Sequence, residues 1–264
     1  MPADLDALLE PLRSRPDRAG VLTDFDGTLA PIVDDPTLAR PLPAAVDALH
    51  RLATVYRRVA VISGRPASFL AEHLALGGRP PDQGGEGLLA AGLYGLEMAD
   101  GDQVTTDPRA DEWRRVVEEV AGRADASAPA GVLVERKVLT VVLHYRTAPG
   151  DGAWADRYAA DEADRTGLVV HPGRMSVELR PPLAVDKGTV VEGLTEGLAA
   201  ACFLGDDRGD LPAFAVLDRL AAERGMATVK VGVRSEEAPD ELLEAADVVV
   251  EGPEGAVEVL SRLG

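Results

Sequence analysis

Cysteine, lysine and long apolar runs are scarce in this sequence of 264 residues. The single cysteine, Cys202, excludes an internal disulfide and a cysteine cluster for zinc, and its apolar neighbours in AACFLGDD predict a small core residue. No apolar stretch approaches the length that spans a membrane, and the opening MPADLDALLEPLRSRP lacks the basic and then apolar pattern of a signal peptide. We therefore expect a protein of the reducing cytoplasm.

Positive charge is scarce as well. The chain has 27 Lys and Arg residues against 45 Asp and Glu residues, which gives a formal net charge of -18. This balance argues against nucleic acid and anionic membranes as partners. The lysines are only Lys137, Lys187 and Lys230, so each is a candidate for a specific role in a chain where arginine is the usual cation. An acidic protein that handles phosphate must supply local positive charge or a metal ion.

Short apolar runs alternate with helical patterns along most of the chain. The runs typical of buried strands are GVLTDF, RVAVIS, GLLAAGLYG, AACFLGD, ATVKVGV and ADVVVEG, while PAAVDALHRLATVY and RPASFLAEHLAL are predicted helices. Alternating strands and helices predict an α/β fold with a Rossmann-like parallel sheet that is covered by helices.

The middle of the chain, residues 102–182, has a different pattern. A helix, two strand-like runs, a second helix and two more strand-like runs follow one another there, which is typical of an antiparallel α+β unit. We interpret this segment as a second domain inserted into the first, which comprises residues 1–101 and 183–264. The segments ADGDQ and RPPLAVDKG are predicted to be the hinges between the two domains.

Polar residues follow three of the predicted core strands. Asp24 and Asp26 follow the first strand, Ser63 follows the second, and the acidic segment GDDRGD ends the run AACFL. Ligands bind at the carboxyl ends of the strands in open α/β sheets, so we expect the three groups to converge there. The competing interpretation is that strands commonly end in polar turn residues, which explains one such group more easily than three.

Carboxylates without nearby sulfur or imidazole indicate a hard cation, Mg²⁺, which would hold Asp24 and Asp206 together. Asp24 and Asp26 are two residues apart, so strand alternation would aim them in opposite directions unless the chain turns, and Gly27 supplies that turn. One acid can then be a nucleophile while the other, protonated, donates to a leaving group.

Four motifs of the chain resemble, in the same order, those of the haloacid dehalogenase-like phosphatase superfamily. They are DFDGTL (Asp24–Leu29), VISGR (Val61–Arg65), DKG (Asp186–Gly188) and GDDRGD (Gly205–Asp210). The inserted segment lies between the second and third motifs and resembles the α+β cap of that superfamily. The resemblance covers essentially the whole chain and implies the fold of that superfamily for residues 1–101 and 183–264, with a cap domain at 102–182.

The resemblance implies catalytic roles for four residues. Asp24 would attack phosphorus and form an aspartyl phosphate, and Asp26 would protonate the departing sugar oxygen and then activate water. Lys187 would neutralise charge in the transition state, and Ser63 would hydrogen-bond the phosphoryl oxygens.

The resemblance also implies a Mg²⁺ site and supporting residues. The metal ligands would be Asp24, the backbone carbonyl of Asp26, and Asp206. Asp210 would steady Lys187 or a metal-bound water. For Asp207, a supporting role and a simple function as an exposed turn acid or helix N-cap are both open.

Three further segments resemble the trehalose-6-phosphate phosphatases. They are GLYGLE (Gly92–Glu97), ERKVLTVVLHYR (Glu135–Arg146) and VELRPPLAVDKG (Val177–Gly188), and that family commonly has His at the position of Tyr94. The substrate-binding residues expected from the resemblance and the strand pattern are Thr28, Gly64, Arg65, Tyr94, Gly95, Glu97, Glu135, Lys137, Glu178 and Arg180. Alternation places Glu135 and Lys137 on one face of their strand and Glu178 and Arg180 on one face of theirs, where cross-strand charge pairing is the alternative function. His144 and Arg146 share the alternation phase of Lys137.

This resemblance implies Mg²⁺-dependent hydrolysis of trehalose 6-phosphate, with a small-molecule phosphosugar as the partner. We expect the protein to be a monomer. A phosphatase for sucrose phosphate or a glycosyl phosphoglycerate would share the catalytic motifs and differ in the cap. A phosphomutase fits less well, because those we compare place the cap between the first two motifs. A non-catalytic phosphosugar sensor would not need the intact nucleophile and acid/base pair.

Overall fold

The computed structural model describes residues 4–33, 35–78, 87–173, 175–235 and 238–264. The chain divides into two units, one formed by the residues up to Thr105 together with Val185–Gly264, and the other by Thr106–Ala184. The bounds of the second unit lie within four residues of the predicted insertion at 102–182. The functional assignment of the units as catalytic core and cap stays a prediction. No helix in the described ranges is both long and apolar enough to cross a membrane.

The regular elements of the described residues are strands and helices in frequent alternation. The strands are β1 (Ala19–Thr23), β2 (Arg58–Ile62), β3 (Leu88–Gly92), β4 (Glu97–Asp100), β5 (Gln103–Thr106), β6 (Leu133–Lys137), β7 (Thr140–His144), β8 (Val169–Gly173), β9 (Ser176–Arg180), β10 (Ala200–Gly205), β11 (Ala227–Arg234) and β12 (Val248–Glu251). The helices are α1 (Leu5–Arg13), α2 (Pro43–Ala53), α3 (Ala67–His73), α4 (Pro108–Asp111), α5 (Arg114–Ser127), α6 (Gly152–Thr166), α7 (Lys187–Leu194), α8 (Leu211–Arg224), α9 (Asp240–Ala245) and α10 (Gly252–Leu263).

An eight-stranded sheet forms the centre of the first unit, in the order β12-β11-β10-β1-β2-β3-β4-β5. All pairs from β12 to β3 are parallel, and β3 pairs with β4 antiparallel. The predicted α/β fold with a parallel sheet is therefore confirmed. Strand β1 lies between β2 and β10, so the strand order reverses at β1, and such a switch point is where open α/β sheets bind ligands.

Both faces of this sheet are buried under helices. Successive side chains of a strand point to opposite sides, so each strand contributes to both apolar clusters. In β1, Val21 packs in one apolar cluster with Leu49 of α2 and Leu260 of α10, and Leu22 packs in the other cluster with Phe214 of α8. Two-sided burial explains why the core strands have continuous apolar runs in the sequence instead of an apolar and polar alternation.

The segment ADGDQ, which the sequence predicts to be a hinge, is a β-hairpin turn. It joins β4 and β5, two strands that were not predicted, and Gly101 at the turn has a φ of +57°. A two-residue hairpin loop needs such a left-handed conformation, which glycine adopts without strain. Three of the four residues of β5 are exposed, so no apolar alternation marks this edge strand in the sequence.

The second unit contains a four-stranded antiparallel sheet in the order β6-β7-β9-β8. One face is apolar: Val141, Leu143 and Leu179 pack in a cluster with Val120 of α5 and Ala159 of α6. The other face carries Glu135 and Lys137 of β6 and Glu178 and Arg180 of β9, as the strand alternation predicts. The predicted succession of helix, two strands, helix and two strands is found, and it forms an α+β unit.

Candidate active site

Two adjacent strands of the first unit bring the first and last acidic motifs together. Asp24 follows β1 and its backbone N–H donates to the carbonyl of Leu204 in β10 at 2.8 Å, so it continues the strand pairing. Asp206 directly follows β10, which pairs with β1 in the register Thr23 to Leu204. Carboxylate oxygens of Asp24, Asp206 and Asp210 all lie within 4.8 Å of one another.

Lys187 joins these acids from the first residue of α7. Asp186 caps this helix: its carboxylate accepts from the Thr189 backbone N–H at 2.7 Å, and the Thr189 hydroxyl accepts from the Asp186 N–H at 3.0 Å. This capping box fixes the start of the helix, so the lysine side chain leaves it in a defined direction. Lys187 Nζ donates to Asp24 Oδ1 and to Asp210 Oδ1, each at 2.6 Å. We call Asp24, Asp206, Asp210 and Lys187 the acidic centre.

The acidic centre is buried and has more negative than positive groups. Its four side chains belong to residues that are at most 3% exposed. Burial raises the pKa of Asp24 to about 6, and burial together with the carboxylates of Asp24 and Asp210 raises the pKa of Asp206 to about 10. Burial alone would lower the pKa of Lys187, but the adjacent Asp210 and Asp24 outweigh it and hold this pKa well above its usual value. The lysine is therefore charged, and the remaining negative charge needs a proton or a cation.

The donor set of the acidic centre fits a hard divalent cation. It consists of carboxylate oxygens, the ligands that Mg²⁺ and Ca²⁺ prefer. Gly27 has a φ of +80°, and a Cβ at this position would overlap the Asp206 carboxylate, so glycine is required here for both conformation and space. The Thr28 hydroxyl donates to Asp206 Oδ1 at 3.4 Å.

Asp210 is the member of the acidic centre with the most protein contacts. Its Oδ2 accepts the backbone N–H groups of Asp206 and Asp207 at 3.0 and 3.1 Å, and its Oδ1 accepts from Lys187. Asp210 therefore orients the loop after β10 and the lysine at once. The expected metal ligands included Asp26 through its backbone carbonyl, and that role stays a prediction.

Asp26, the predicted acid and base, is held by Arg65. Arg65 Nε donates to Asp26 Oδ2 at 2.8 Å and Nη2 donates to Oδ1 at 2.6 Å, which is a bidentate pair. The same guanidinium donates to the carbonyl of Pro36 at 2.6 Å and lies 4.8 Å from the ring centre of Phe69. The sequence predicted Arg65 as a substrate-binding residue and contained no signal for this contact across 39 positions.

The segments SGR and GLYG pack against each other beside the end of β2. Ser63 is 1% exposed, and its hydroxyl accepts the backbone N–H of Arg65 at 3.2 Å. The carbonyl of Ser63 accepts the Tyr94 N–H at 3.0 Å, and the Tyr94 hydroxyl lies so close to Gly64 that a side chain there would overlap it. Gly95 lies against Val190 of α7. These contacts place Tyr94 next to the second motif.

Two predicted site residues have capping contacts. The Glu97 carboxylate is buried and accepts the backbone N–H of Ala67 at 2.9 Å, at the start of α3. Asp207 has a side chain that is 63% exposed, accepts the N–H of Gly209 at 2.8 Å and lies 4.0 Å from Lys187 Nζ. These contacts give both acids a local structural function, and their substrate-binding and supporting roles stay predictions.

In the second unit, four charged residues of β6 and β9 lie on the non-helical face of the sheet, whereas Arg136 of β6 points to the other side and pairs with Glu118 and Asp125 of α5. We call Glu135, Lys137, Glu178 and Arg180 the polar face. Lys137 Nζ lies 3.9 Å from Glu135 and 3.8 Å from Glu178, and Arg180 Nε donates to Glu178 Oε2 at 2.8 Å. The four residues therefore pair with one another, which is the alternative that the strand pattern left open.

Two neighbours complete the polar face: Thr140, which was not predicted, and His144, which the strand alternation placed in the same phase as Lys137. The Thr140 hydroxyl donates to Glu178 Oε1 at 2.7 Å, and His144 Nε2 lies 2.7 Å from Glu135 Oε2. Burial acts to raise the pKa of Glu178, but Lys137, Arg180 and the Thr140 hydrogen bond outweigh it and lower this pKa. Thr140 could have been found from the sequence, because a tight hairpin sets it opposite Lys137.

Comparisons with known proteins agree with this geometry. A family model described as trehalose-phosphatase matches residues 22–246. A trehalose-phosphate phosphatase of Mycolicibacterium paratuberculosis is 37% identical over 206 residues, which cover 74% of this chain and 50% of that protein. The C-terminal domain of trehalose-6-phosphate phosphatase from C. albicans has a similar fold, with a TM-score of 0.75, 22% identity and coverage of 99% and 97% of the two chains.

A haloacid dehalogenase-like hydrolase from Bacteroides thetaiotaomicron is similar at a TM-score of 0.63, with 17% identity and coverage of 93% of this chain and 99% of that one. The fold is thus that of the haloacid dehalogenase-like hydrolases. The chain spans about half the length of the first curated relatives that it matches. The family match covers both acidic motifs, the lysine of α7 and the whole second unit. By this match, which extends over most of its length, the chain belongs to the trehalose-phosphatase family.

Proposed function

We propose that this chain hydrolyses trehalose 6-phosphate to trehalose and phosphate. The contact that supports a phosphatase best is that of Lys187 Nζ with Asp24 and Asp210, at 2.6 Å each, beside the third buried carboxylate of Asp206. A nucleophilic carboxylate that is paired with an ammonium group suits attack on an anionic phosphate. The choice of sugar rests on the family and on the activity for which its relatives are named.

In the first step, Asp24 is the nucleophile. Lys187 holds Oδ1 of Asp24, so Oδ2 is the oxygen that attacks phosphorus. The bond from phosphorus to the sugar oxygen breaks, and the product is an aspartyl phosphate on Asp24. The charge of Lys187 offsets the negative charge that develops on the phosphoryl oxygens.

Asp26 is the proton donor and acceptor in this proposal. It protonates the departing sugar oxygen, and as a carboxylate it then takes a proton from the water that attacks phosphorus and releases phosphate and Asp24. The bidentate contact with Arg65 favours the ionised form of Asp26, so the carboxyl group must leave Arg65 before it carries a proton.

We propose Mg²⁺ as the cation, held by Asp24, Asp206 and the backbone carbonyl of Asp26. When bound, this cation would shield the anionic nucleophile from the anionic phosphate. Asp210 is left to position Lys187, because both of its oxygens already accept hydrogen bonds from the protein.

Phosphate and sugar would be bound by different residues. We propose that Ser63, Thr28 and the backbone near Gly64 bind phosphoryl oxygens, and that Glu135, Lys137, Glu178 and Arg180 bind sugar hydroxyls. Charged groups that hold hydroxyls reject a sugar that leaves them unpaired. The remaining predicted substrate contacts are Arg65, Tyr94, Gly95 and Glu97.

Phosphate release from a panel of sugar phosphates tests this function. With Mg²⁺ present, we expect kcat/KM for trehalose 6-phosphate to exceed that for glucose 6-phosphate and sucrose 6-phosphate by about 100-fold. EDTA should abolish the reaction. Equal cleavage of all three sugars would overturn the substrate, and absence of phosphate release from every one would overturn the phosphatase. Light scattering after size-exclusion chromatography checks the predicted monomer.

A further inference from the structure

A cavity of about 590 Å³ lies in the first unit at the amino ends of β10 and β11. The acidic centre lies at the opposite, carboxyl ends of the strands. The cavity lining includes Ala200 and Ala227, the first residues of β10 and β11, whereas Asp206 follows the last residue of β10. A strand of six residues spans about 20 Å, so the cavity is separate from the acidic centre. Its volume is within the usual range for small-molecule sites.

Three arginines line this cavity, namely Arg15, Arg18 and Arg224. Their guanidinium groups make no hydrogen bond or ion pair with any other described residue. Among the described arginines only Arg51 and Arg157 share that property, and each of the others has an interaction partner, such as Asp6 for Arg13 or a backbone carbonyl for Arg40. Three of five such arginines therefore meet at one cavity. We call Arg15, Arg18 and Arg224 the cavity arginines.

The acidic lining residue of the cavity does not neutralise these arginines. Glu10 is held by Arg13, whose Nη2 donates to it at 3.3 Å. The protein as a whole has a net charge of -18, so its electrostatic potential is negative over most of the surface. A site with three uncompensated positive groups is a local region of positive potential. Leu198 and Met226 supply apolar surface in the same cavity.

Helix ends give a partial explanation for the cavity arginines. Arg224 is the last residue of α8 and Arg15 follows α1 by two positions, and cations stabilise the carboxyl ends of helices. This explanation applies to each residue alone. Arg18 ends only a single 3-10 turn, Pro16–Arg18, which has a small dipole, and the explanation does not account for the cavity that all three line.

We propose that this cavity binds a small anion through a phosphate or pyrophosphate group. Arginine offers planar paired donors that match phosphate oxygens, and Leu198 and Met226 would contact the apolar part of the ligand. The shared chemistry is a phosphate group, which can come from an inorganic polyphosphate or from a phosphate ester.

Titration calorimetry in EDTA and at low salt tests the site, with pyrophosphate, inorganic phosphate and AMP as probes. The test variant carries Arg15→Ala, Arg18→Ala and Arg224→Ala, and the matched control carries Arg51→Ala and Arg157→Ala, which remove unpaired arginines elsewhere. We expect the wild type and the control to bind pyrophosphate or AMP alike, and the test variant to bind at least about tenfold more weakly. Added salt should weaken binding.

Two outcomes would overturn the proposal, and the ranking of the probes identifies the source of the phosphate group. Equal affinity of the test variant and the control would place the anion elsewhere, including at the acidic centre. Absence of binding of all probes to the wild type would mean that the cavity has no anion site. Tighter binding of AMP than of pyrophosphate assigns the site to phosphate esters, and the reverse assigns it to inorganic polyphosphate. If Arg224→Ala alone lowers the melting temperature and leaves the affinity unchanged, Arg224 stabilises the carboxyl end of α8 and does not bind the anion.

Discussion

Each unit of the molecule has a lysine between carboxylates. The two lysines differ in their distances to those carboxylates and in the ratio of acids to cations around them. Lys187 Nζ lies 2.6 Å from Asp24 and from Asp210, whereas Lys137 Nζ lies 3.9 and 3.8 Å from Glu135 and Glu178. In the acidic centre three acids face one cation. On the polar face two acids face two cations, since Arg180 also pairs with Glu178.

The difference in charge balance indicates a difference in chemistry. An acid excess that is buried keeps carboxylates at raised pKa values, so they favour a cation or a proton and are primed to react. A balanced set of charges lowers the pKa of Glu178 and leaves it ionised at neutral pH. This balanced set fits the proposed role of binding sugar hydroxyls, which would exchange partners with the charged groups.

The largest effect is expected from the acidic centre. Asp24→Asn keeps the shape of the side chain and removes the nucleophile, so kcat for phosphate release should fall by about 1,000-fold or more. Asp17→Asn, at an exposed position of the same unit, is the matched control and should keep wild-type turnover. Near-normal activity of Asp24→Asn would overturn the mechanism.

Replacement of the lysine should lower the unfolding free energy more in the acidic centre than on the polar face. In EDTA, Lys187→Met leaves three buried carboxylates without a counter-ion and should cost about 3–5 kcal/mol of unfolding free energy in the first unit. Lys137→Met should cost about 1 kcal/mol in the second unit, because its contacts are longer and Arg180 still pairs with Glu178.

The two units can be followed separately during chemical unfolding. Trp113 and Trp154 are the only tryptophans and both lie in the second unit, so their fluorescence reports that unit. Amide hydrogen exchange in β1 and β10 reports the first unit. Equal losses for Lys187→Met and Lys137→Met would remove the contrast between the clusters.

A smaller, selective effect on catalysis is expected from the polar face. Lys137→Ala should lower kcat/KM for trehalose 6-phosphate by about 10- to 100-fold and leave cleavage of p-nitrophenyl phosphate nearly unchanged, since the latter has no sugar. Lys230→Ala is the matched control, because Lys230 pairs with Asp218 at 2.6 Å in the first unit. A parallel decrease for both substrates would assign Lys137 to the fold and not to the sugar.

The smallest effect is a pH dependence of the second unit. The folded pKa of Glu178 lies below its ordinary value of 4.5, so its stabilising contribution is present above about pH 4.5 and is lost as the pH falls through the lower, folded pKa. Tryptophan fluorescence during urea unfolding should show this loss in the wild type. Glu178→Gln should flatten that part of the profile, and an unchanged profile would show that other carboxylates cause it.

Prediction from the sequence was most accurate where a local pattern repeats. Every predicted core strand corresponds to a strand of the structure, and the α+β succession of the second unit was found element by element. The strands β4 and β5 were not predicted, and the mostly exposed β5 has no apolar alternation that could have revealed it. The role of ADGDQ as a hinge stays a prediction. Asp24 and Asp206 were expected to converge, and they do. The reason is that β1 and β10 are parallel neighbours, so their carboxyl ends lie side by side.

The sequence by itself determined the sheet, the insertion and the acids at the strand ends, because apolar periodicity and strand-end chemistry are properties of short segments. Only the tertiary structure decided the partners of those acids. Arg65 holds Asp26, and Glu97 caps α3, through contacts between segments that are distant in the chain. The cavity arginines likewise meet only after α1, β10 and α8 have packed. Such contacts depend on strand order and on side-chain direction in the packed core, and no local pattern encodes either.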